Sequence, residues 1–316
     1  MSFSQNVKEE ILKNFKKVKG CCATSFLTAV LKSIGSLCVD SFGYCFSVES
    51  DNGALLEFCS SLAQSQFDVG SAIYEIRQTK DSSENVKYIC KFDVELGQKL
   101  GLLYFDSARS VHIVEKPKLK LSEECCRRAF MQGLFLSCGS ASVPESSEAF
   151  SESKHSNYHL ELRIANADFA TFVEEQFPER CFRKTERKNN TVLYVKDSAK
   201  IAEFLVFVNA INASFRVENI IIERSYRNAA NRQRNCIDSN IDKAVSAGLK
   251  QIAAIEKIKK SGKFHALPQQ LKDVAAVREE NPDANLSEIA AILQISKSGV
   301  NHRLAKLCEI AADIDP

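Results

Sequence analysis

The chain has 316 residues, 45% apolar and 26% charged, with a formal net charge of +2; this is the make-up of a folded globular protein and excludes wholesale disorder. Its length exceeds one ordinary domain, so two are expected. The opening MSFSQNVKEEILKNFKKV is charged every few residues, unlike the apolar stretch of a secretory leader, and no apolar run nears the roughly 18 residues of a membrane span, so a cytoplasmic protein is expected.

The first predicted element of note is a helix from Cys21. Aligning the chain with itself at an offset of 104 lays CCATSFLTAVLKSIGS over CCRRAFMQGLFLSCGS, which starts at Cys125. Cys21 and Cys22 overlie Cys125 and Cys126, Phe26 overlies Phe130, and Gly35-Ser36 overlies Gly139-Ser140. Phe26 with Val30 and Leu27 with Leu31 recur at i and i+4, small Ala29 and Gly133 permit close helix approach, and each copy stops at a glycine. Strand-like runs follow each copy: SLCVDSFGYCFSVES, SAIYEIR and VKYICKF, then NYHLELRI and TVLYVK. NGALLEFCSSLAQ and SAKIAEFLVFVNAI read as interposed helices. The expected unit is a helix and a β-hairpin, repeated, and Ser137 to Asn157, rich in serine and glutamate, reads as a surface loop.

None of the twelve cysteines forms a C-x-x-C pair, so neither a zinc ribbon nor a thioredoxin motif is signalled, and reduced core packing is the ordinary reading. If the repeat helices lie side by side, Cys21, Cys22, Cys125 and Cys126 could converge on a metal or a disulfide.

Charge is unevenly spread. Residues 1 to 215 hold 26 Lys and Arg against 27 Asp and Glu, whereas residues 224 to 263 hold ten basic groups against three acidic. Such a block serves as a phosphate-binding face or as a solvated helix. Within it, NIDKAVSAGLKQIAAIEKIKKSGKF places Ile241, Ala244, Val245, Ile252 and Ile255 at helical spacings before Gly262. A second helix is predicted from Pro268, burying Leu271, Val274 and Val277, and halting at Asn281-Pro282.

A third helix opens at Asn285, whose side chain can cap while Glu288 reaches back. Gln294-Ile295 makes a short turn, and Ser296 caps a fourth helix with Val300, Leu304 and Leu307 on one face. This is the helix-turn-helix pattern, with Ala290 allowing a close crossing, Ile295 plugging the turn and Val300 locking the last helix. Advancing 100° per residue from Val300 turns Ser298 and His302 outward, flanked by Gly299, Asn301, Ala305 and Lys306. Asn301 suits an adenine edge, Lys297 and Lys306 suit phosphate or guanine, and Arg303 suits a phosphate or a brace to Glu288.

Two pseudo-twofold repeats with paired helices resemble the LAGLIDADG homing endonuclease fold. In active members an acidic residue before each helix-terminal glycine binds the divalent metal. Here those positions carry Ile34 and Cys138, so the resemblance implies a degenerate metal centre. Taken together, MSFSQNVKEEI, CCRRAFMQGLFL with GS and YHLEL, RNAANRQRNCIDSNIDK, ALPQQLKD and ISKSGVNHRLAKL resemble the WhiA family of bacterial regulators over essentially the full length. That resemblance implies a degenerate LAGLIDADG-like domain joined to a helix-turn-helix domain, and roles in cell division, chromosome segregation and developmental transcription. Cys138 departs from the glycine that relatives tend to carry.

The expected fold class is α+β, with repeats at about 1–105 and 106–215, a basic connection at 216–236 and an all-α helix-turn-helix domain at 237–316. The expected partner is double-stranded DNA, met by Ser296, Lys297, Ser298, Gly299, Asn301, His302, Arg303 and Lys306, with Arg227, Arg232 and Arg234 toward phosphate. A regulatory protein is a second expected partner of the N-terminal domain. No enzyme activity, cofactor, metal, membrane or small-molecule substrate is expected. A protein-interaction scaffold with accessory DNA binding is the alternative, and an active endonuclease is disfavoured by Ile34 and Cys138.

Overall fold

Ser2 starts the first helix, α1 (Phe3–Asn14), with a closed capping box: its hydroxyl accepts from the Gln5 amide, and its own amide donates to Gln5 Oε1 at 2.8 Å. The structure, a computed structural model, describes all residues except 1, 16–17, 42, 81–82, 145–157 and 315–316, and of 78–80 and 83–85 it describes the backbone alone. It falls into two units, Met1–Arg224 and Ser225–Pro316.

In the first unit, α2 (Gly20–Ile34), β1 (Gly35–Asp40), β2 (Gly43–Ser50), α3 (Gly53–Phe67), β3 (Ser71–Lys80), β4 (Ser83–Asp93) and α4 (Val94–Lys99) form the first repeat. A small hairpin, β5 (Leu103–Phe105) with β6 (Val111–Ile113), follows. The second repeat is α5 (Glu124–Cys138), β7 (Gly139–Ser142), β8 (His159–Ile164), α6 (Ala167–Gln176), β9 (Arg183–Arg187), β10 (Asn190–Val195) and α7 (Ser198–Phe207). The sheets are antiparallel with matching strand orders, β1-β2-β4-β3 and β7-β8-β10-β9.

The repeat helices α2 and α5 pack against each other. A Cβ at Gly133 would stand 2.6 Å from the Phe26 carbonyl oxygen, so only glycine allows so close an approach there. Phe26, Leu27, Phe130, Met131, Leu134 and Phe135 are fully buried at the centre of one continuous core. Ser33 and Ser137, equivalent positions 104 residues apart, hydrogen-bond to each other at 2.6 Å. The helices therefore run side by side in the same direction.

Several details differ from the sequence expectation. SLCVDSFGYCFSVES is a complete hairpin, because Gly43, at φ 117°, lets the chain turn between β1 and β2. Strand β9, RKTER, has no apolar alternation and lies at a sheet edge, and α6 was not anticipated. The stretch read as a loop from Ser137 begins instead with the end of α5 and with β7, whose backbone pairs with β8; residues 145–157 of it lie outside the described residues. The interposed helix stops at Phe207, and Asn209, at φ 64°, separates it from the next helix.

Helix α8 (Ile211–Lys260) contains the unit boundary, so the expected connection at 216–236 is helical. Of the apolar residues at helical spacings in this stretch, Ile241 and Val245 are exposed, whereas Ile255 is buried together with Ile258. Only the last turns of α8 join the core of the second unit, which also takes α9 (Gln269–Glu280), α10 (Leu286–Leu293) and α11 (Lys297–Ala312). Of the three residues expected buried in α9, Val274 is fully so, while Leu271 and Val277 are half-buried against the same core.

Candidate nucleic-acid interface

The site is built from α10, a tight turn and α11. Asn285 Oδ1 accepts from the amides of Ser287 at 2.9 Å and Glu288 at 3.1 Å, and Glu288 Oε2 accepts from the Asn285 amide at 2.8 Å. Asn285 and Glu288 thus satisfy helix-start donors that would otherwise lack partners. Gln294 ends α10 in the left-handed region at φ 53°, the conformation that glycine adopts without steric penalty. The Ile295 amide then donates to the Ala290 carbonyl at 3.1 Å, closing the turn. Ser296 Oγ accepts from the Gly299 amide at 3.1 Å and starts α11.

Val300 and Leu304 are fully buried, with Leu307 almost so, packed with Ile289 and Ala290. This anchors one face of α11 and leaves the opposite face in solvent. Ser296, Lys297, Ser298, Asn301, His302 and Lys306 are exposed, and Gly299 and Arg303 are half-buried. The outward face therefore carries hydroxyl, amide, imidazole and ammonium groups, all able to donate to base edges or phosphates. Lys306 Nζ lies 2.9 Å from Glu309 Oε2, and that carboxylate raises the Lys306 pKa, so the ammonium stays charged. Among the described residues no ion pair joins Arg303 to Glu288, whose carboxylate serves the cap. Arg232 and Arg234 are exposed on α8, and Arg227 lies on the same helix.

One determinant of the site escaped the sequence reading. Arg278 is 2% exposed, and its Nη1 donates to the carbonyls of Ala284 at 2.6 Å, Pro282 at 3.4 Å and Asn281 at 3.5 Å. It thereby holds the connection that presents α10, and burial pulls its pKa below the usual guanidinium range. The available signal was position: Leu271, Val274, Ala275 and Arg278 follow i, i+3, i+4 and i+7, placing a charge on an apolar face.

In the first unit, Ile34 and Cys138 end α2 and α5. The groove there is lined by Ser33, Ile34, Ser137, Cys138, Arg163 and Asn190, among others, without a carboxylate. Burial pushes the Cys138 thiol up to about 12, so it is neutral at physiological pH. A magnesium ion requires hard oxygen donors, so these residues do not fit the metal of an active LAGLIDADG enzyme. At the opposite helix ends the structure brings Cys21, Cys22, Cys125 and Cys126 together.

A repeated α+β unit with paired central helices, joined to a helix-turn-helix unit, defines a two-part architecture of a LAGLIDADG-like domain followed by a helix-turn-helix domain. Residues 127–227 match the WhiA LAGLIDADG-like domain, and residues 230–311 match the WhiA C-terminal HTH domain. The chain is 32% identical over 292 residues to a probable cell division protein WhiA of Syntrophomonas wolfei, covering 90% of this chain and 89% of the relative. It is 30% identical over 282 residues to the one of Bacillus subtilis, covering 88% and 85%. The crystal structure of full-length DUF199/WhiA from Thermotoga maritima superposes with a TM-score of 0.58 at 22% identity, covering the whole of both chains, and shares the fold. The chain belongs to the WhiA family. No helix among the described residues is long and apolar enough to cross a membrane.

Proposed function

We propose that this chain is a sequence-specific DNA-binding protein of the bacterial cytoplasm, associated with the nucleoid, that regulates transcription in support of cell division and chromosome segregation. The observation that carries this reading is the polar, solvent-facing side of α11, anchored from behind by Val300, Leu304 and Leu307. A rigid helix with one locked face and one donor-rich face suits the major groove of duplex DNA. Ser298, Asn301 and His302 read base edges. Ser296, Lys297, Gly299, Arg303 and Lys306 position the helix, and Arg227, Arg232 and Arg234 meet phosphates. The link to division rests on the names of the relatives.

The first unit serves as a scaffold without nuclease activity, since Ile34 and Cys138 supply no hard anionic ligand, and it offers a surface for a regulatory protein. Magnesium-dependent cutting of plasmid DNA by clean protein would overturn that part. The decisive experiment is genome-wide chromatin occupancy of wild type beside the double variant Asn301→Ala, His302→Ala. Discrete peaks in the wild type that collapse to background in the variant support direct readout. Peaks unchanged in that variant, or in a chain lacking residues 283 to 316, place DNA binding elsewhere and favour the scaffold alternative.

A further inference from the structure

The two central helices of the first unit begin without a side-chain cap, as α9 does. Side chains cap α1, α3, α6, α7, α10 and α11. Lys19 and Glu123, which precede α2 and α5, provide no such cap. In both helices the second and third residues of the first turn are cysteines, at the positive end of the helix dipole. Because α2 and α5 run side by side in the same direction, the four sulfurs meet: all lie within 4.8 Å of one another, and those of Cys21 and Cys22 are 4.0 Å apart.

Core packing does not account for this cluster. Cys22 and Cys126 are buried, but Cys21 and Cys125 face solvent, where a small hydrophobe gains little. A disulfide would draw its two sulfurs to about 2 Å, whereas all four cysteines are free and the sulfurs of Cys21 and Cys22 stand 4.0 Å apart. Tetrahedral coordination with metal–sulfur bonds of about 2.3 Å sets sulfur–sulfur edges of about 3.8 Å, so movements of about 1 Å or less bring all four sulfurs into place. An iron–sulfur cluster distributes its cysteines over several irons and needs a wider spread.

We propose that Cys21, Cys22, Cys125 and Cys126 form a tetrathiolate site for a single zinc ion, clamping together the N-terminal ends of the two repeat helices. Four soft sulfur donors in compact array select zinc over hard magnesium or calcium. On binding, each thiol releases its proton to water and donates an electron pair to the ion. The divalent charge and two helix N-termini offset the four negative charges. All four coordination positions come from the protein, so the site is structural, and it ties together cysteines 104 residues apart in sequence.

The test uses the full chain purified under reducing, anaerobic conditions. Elemental analysis is expected to find one zinc per chain. Cobalt(II) substituted for it should give intense sulfur-to-cobalt charge transfer and the visible bands of a tetrahedral site. Chelator should lower the melting temperature. In the double variant Cys21→Ser, Cys125→Ser, changed only on the solvent side, the circular dichroism of the fold should remain while the zinc and the chelator response are lost. Wild type that takes up no zinc even after incubation with zinc chloride would overturn the proposal. So would a cobalt spectrum without thiolate bands, a serine variant that binds as well as wild type, or iron in place of zinc. Should the variant not fold, the cobalt spectrum of the wild type decides alone.

Discussion

Glu161 shows how one side chain can set a property of its whole sheet. It is 4% exposed on β8, with His159 Nε2 at 2.9 Å, Arg163 Nη2 at 2.6 Å and Arg187 Nη1 at 3.6 Å from its carboxylate. Burial pushes its pKa up, but the hydrogen bonds and charges of His159 and Arg163 outweigh burial, and the net shift is downward. A carboxylate whose pKa is lower folded than unfolded binds protons more readily in the unfolded chain. The stability it contributes is therefore complete above the unfolded value, near 4.5, and drains away as pH falls through the folded value. Glu161→Gln is expected to destabilise the first unit by about 1 to 3 kcal/mol at pH 7 and to flatten the acid limb of stability against pH. Urea unfolding at a series of pH values checks this, and parallel curves for the two proteins would refute the assignment. Arg278 plays a comparable part in the second unit, where a buried cation is tolerated because backbone carbonyls surround it.

At the scale of elements, the crossing of α2 and α5 determines where everything else in the first unit sits. Gly133 lies where the helices approach closely: a Cβ there would stand 2.6 Å from Phe26 O and 3.3 Å from Ala29 Cβ. Since backbone oxygen cannot swing aside as a side chain can, a larger residue must push the helices apart. Gly133→Val is expected to cost about 3 kcal/mol or more, combining overpacking with displacement of neighbouring buried side chains. Thermal unfolding measures it, and a melting temperature within 2 to 3 degrees of wild type would contradict the close approach, given roughly 2 to 4 degrees per kcal/mol for a unit of this size. The same crossing places Ser33 against Ser137, and the four cysteines against each other. The helix-turn-helix has a different logic. Its elements are short, and each is held by a local device: the Asn285–Glu288 box, the left-handed Gln294 and the Ser296 cap.

For the molecule as a whole, positive charge is concentrated in the stretch that holds the proposed phosphate contacts Arg227, Arg232 and Arg234, with ten basic groups against three acidic between residues 224 and 263. Phosphate contacts release counterions, so affinity falls with salt in proportion to their number. Arg232→Ala is expected to weaken binding to all duplexes alike and to reduce the slope of log affinity against log salt by about 1. Fluorescence anisotropy on specific and random duplexes across a salt series reads both quantities. A loss confined to one duplex would move Arg232 from phosphate contact to base readout.

Much of this protein was legible locally. The 104-residue offset marked the helix pair, because a repeat preserves cysteine, glycine and aromatic anchors in order, and α2 and α5 share the expected endings at Gly35 and Gly139. Helix caps and a 3.6-residue period likewise sufficed for α10 and α11, since their hydrogen bonds span three or four residues. Periodicity could not single out Ile255 over Ile241 and Val245, because it reports that a helix has an apolar stripe, not which of its turns meets a partner. Edge strand β9 carries no alternation to read, and Arg278 looks like any surface arginine until carbonyls from three later residues close around it. Sequence alone could name the four cysteines as a pair of pairs. Only the packing of α2 on α5 decided that their sulfurs share one place, because a distance between residues so far apart along the chain is set by the core between them and by no local rule.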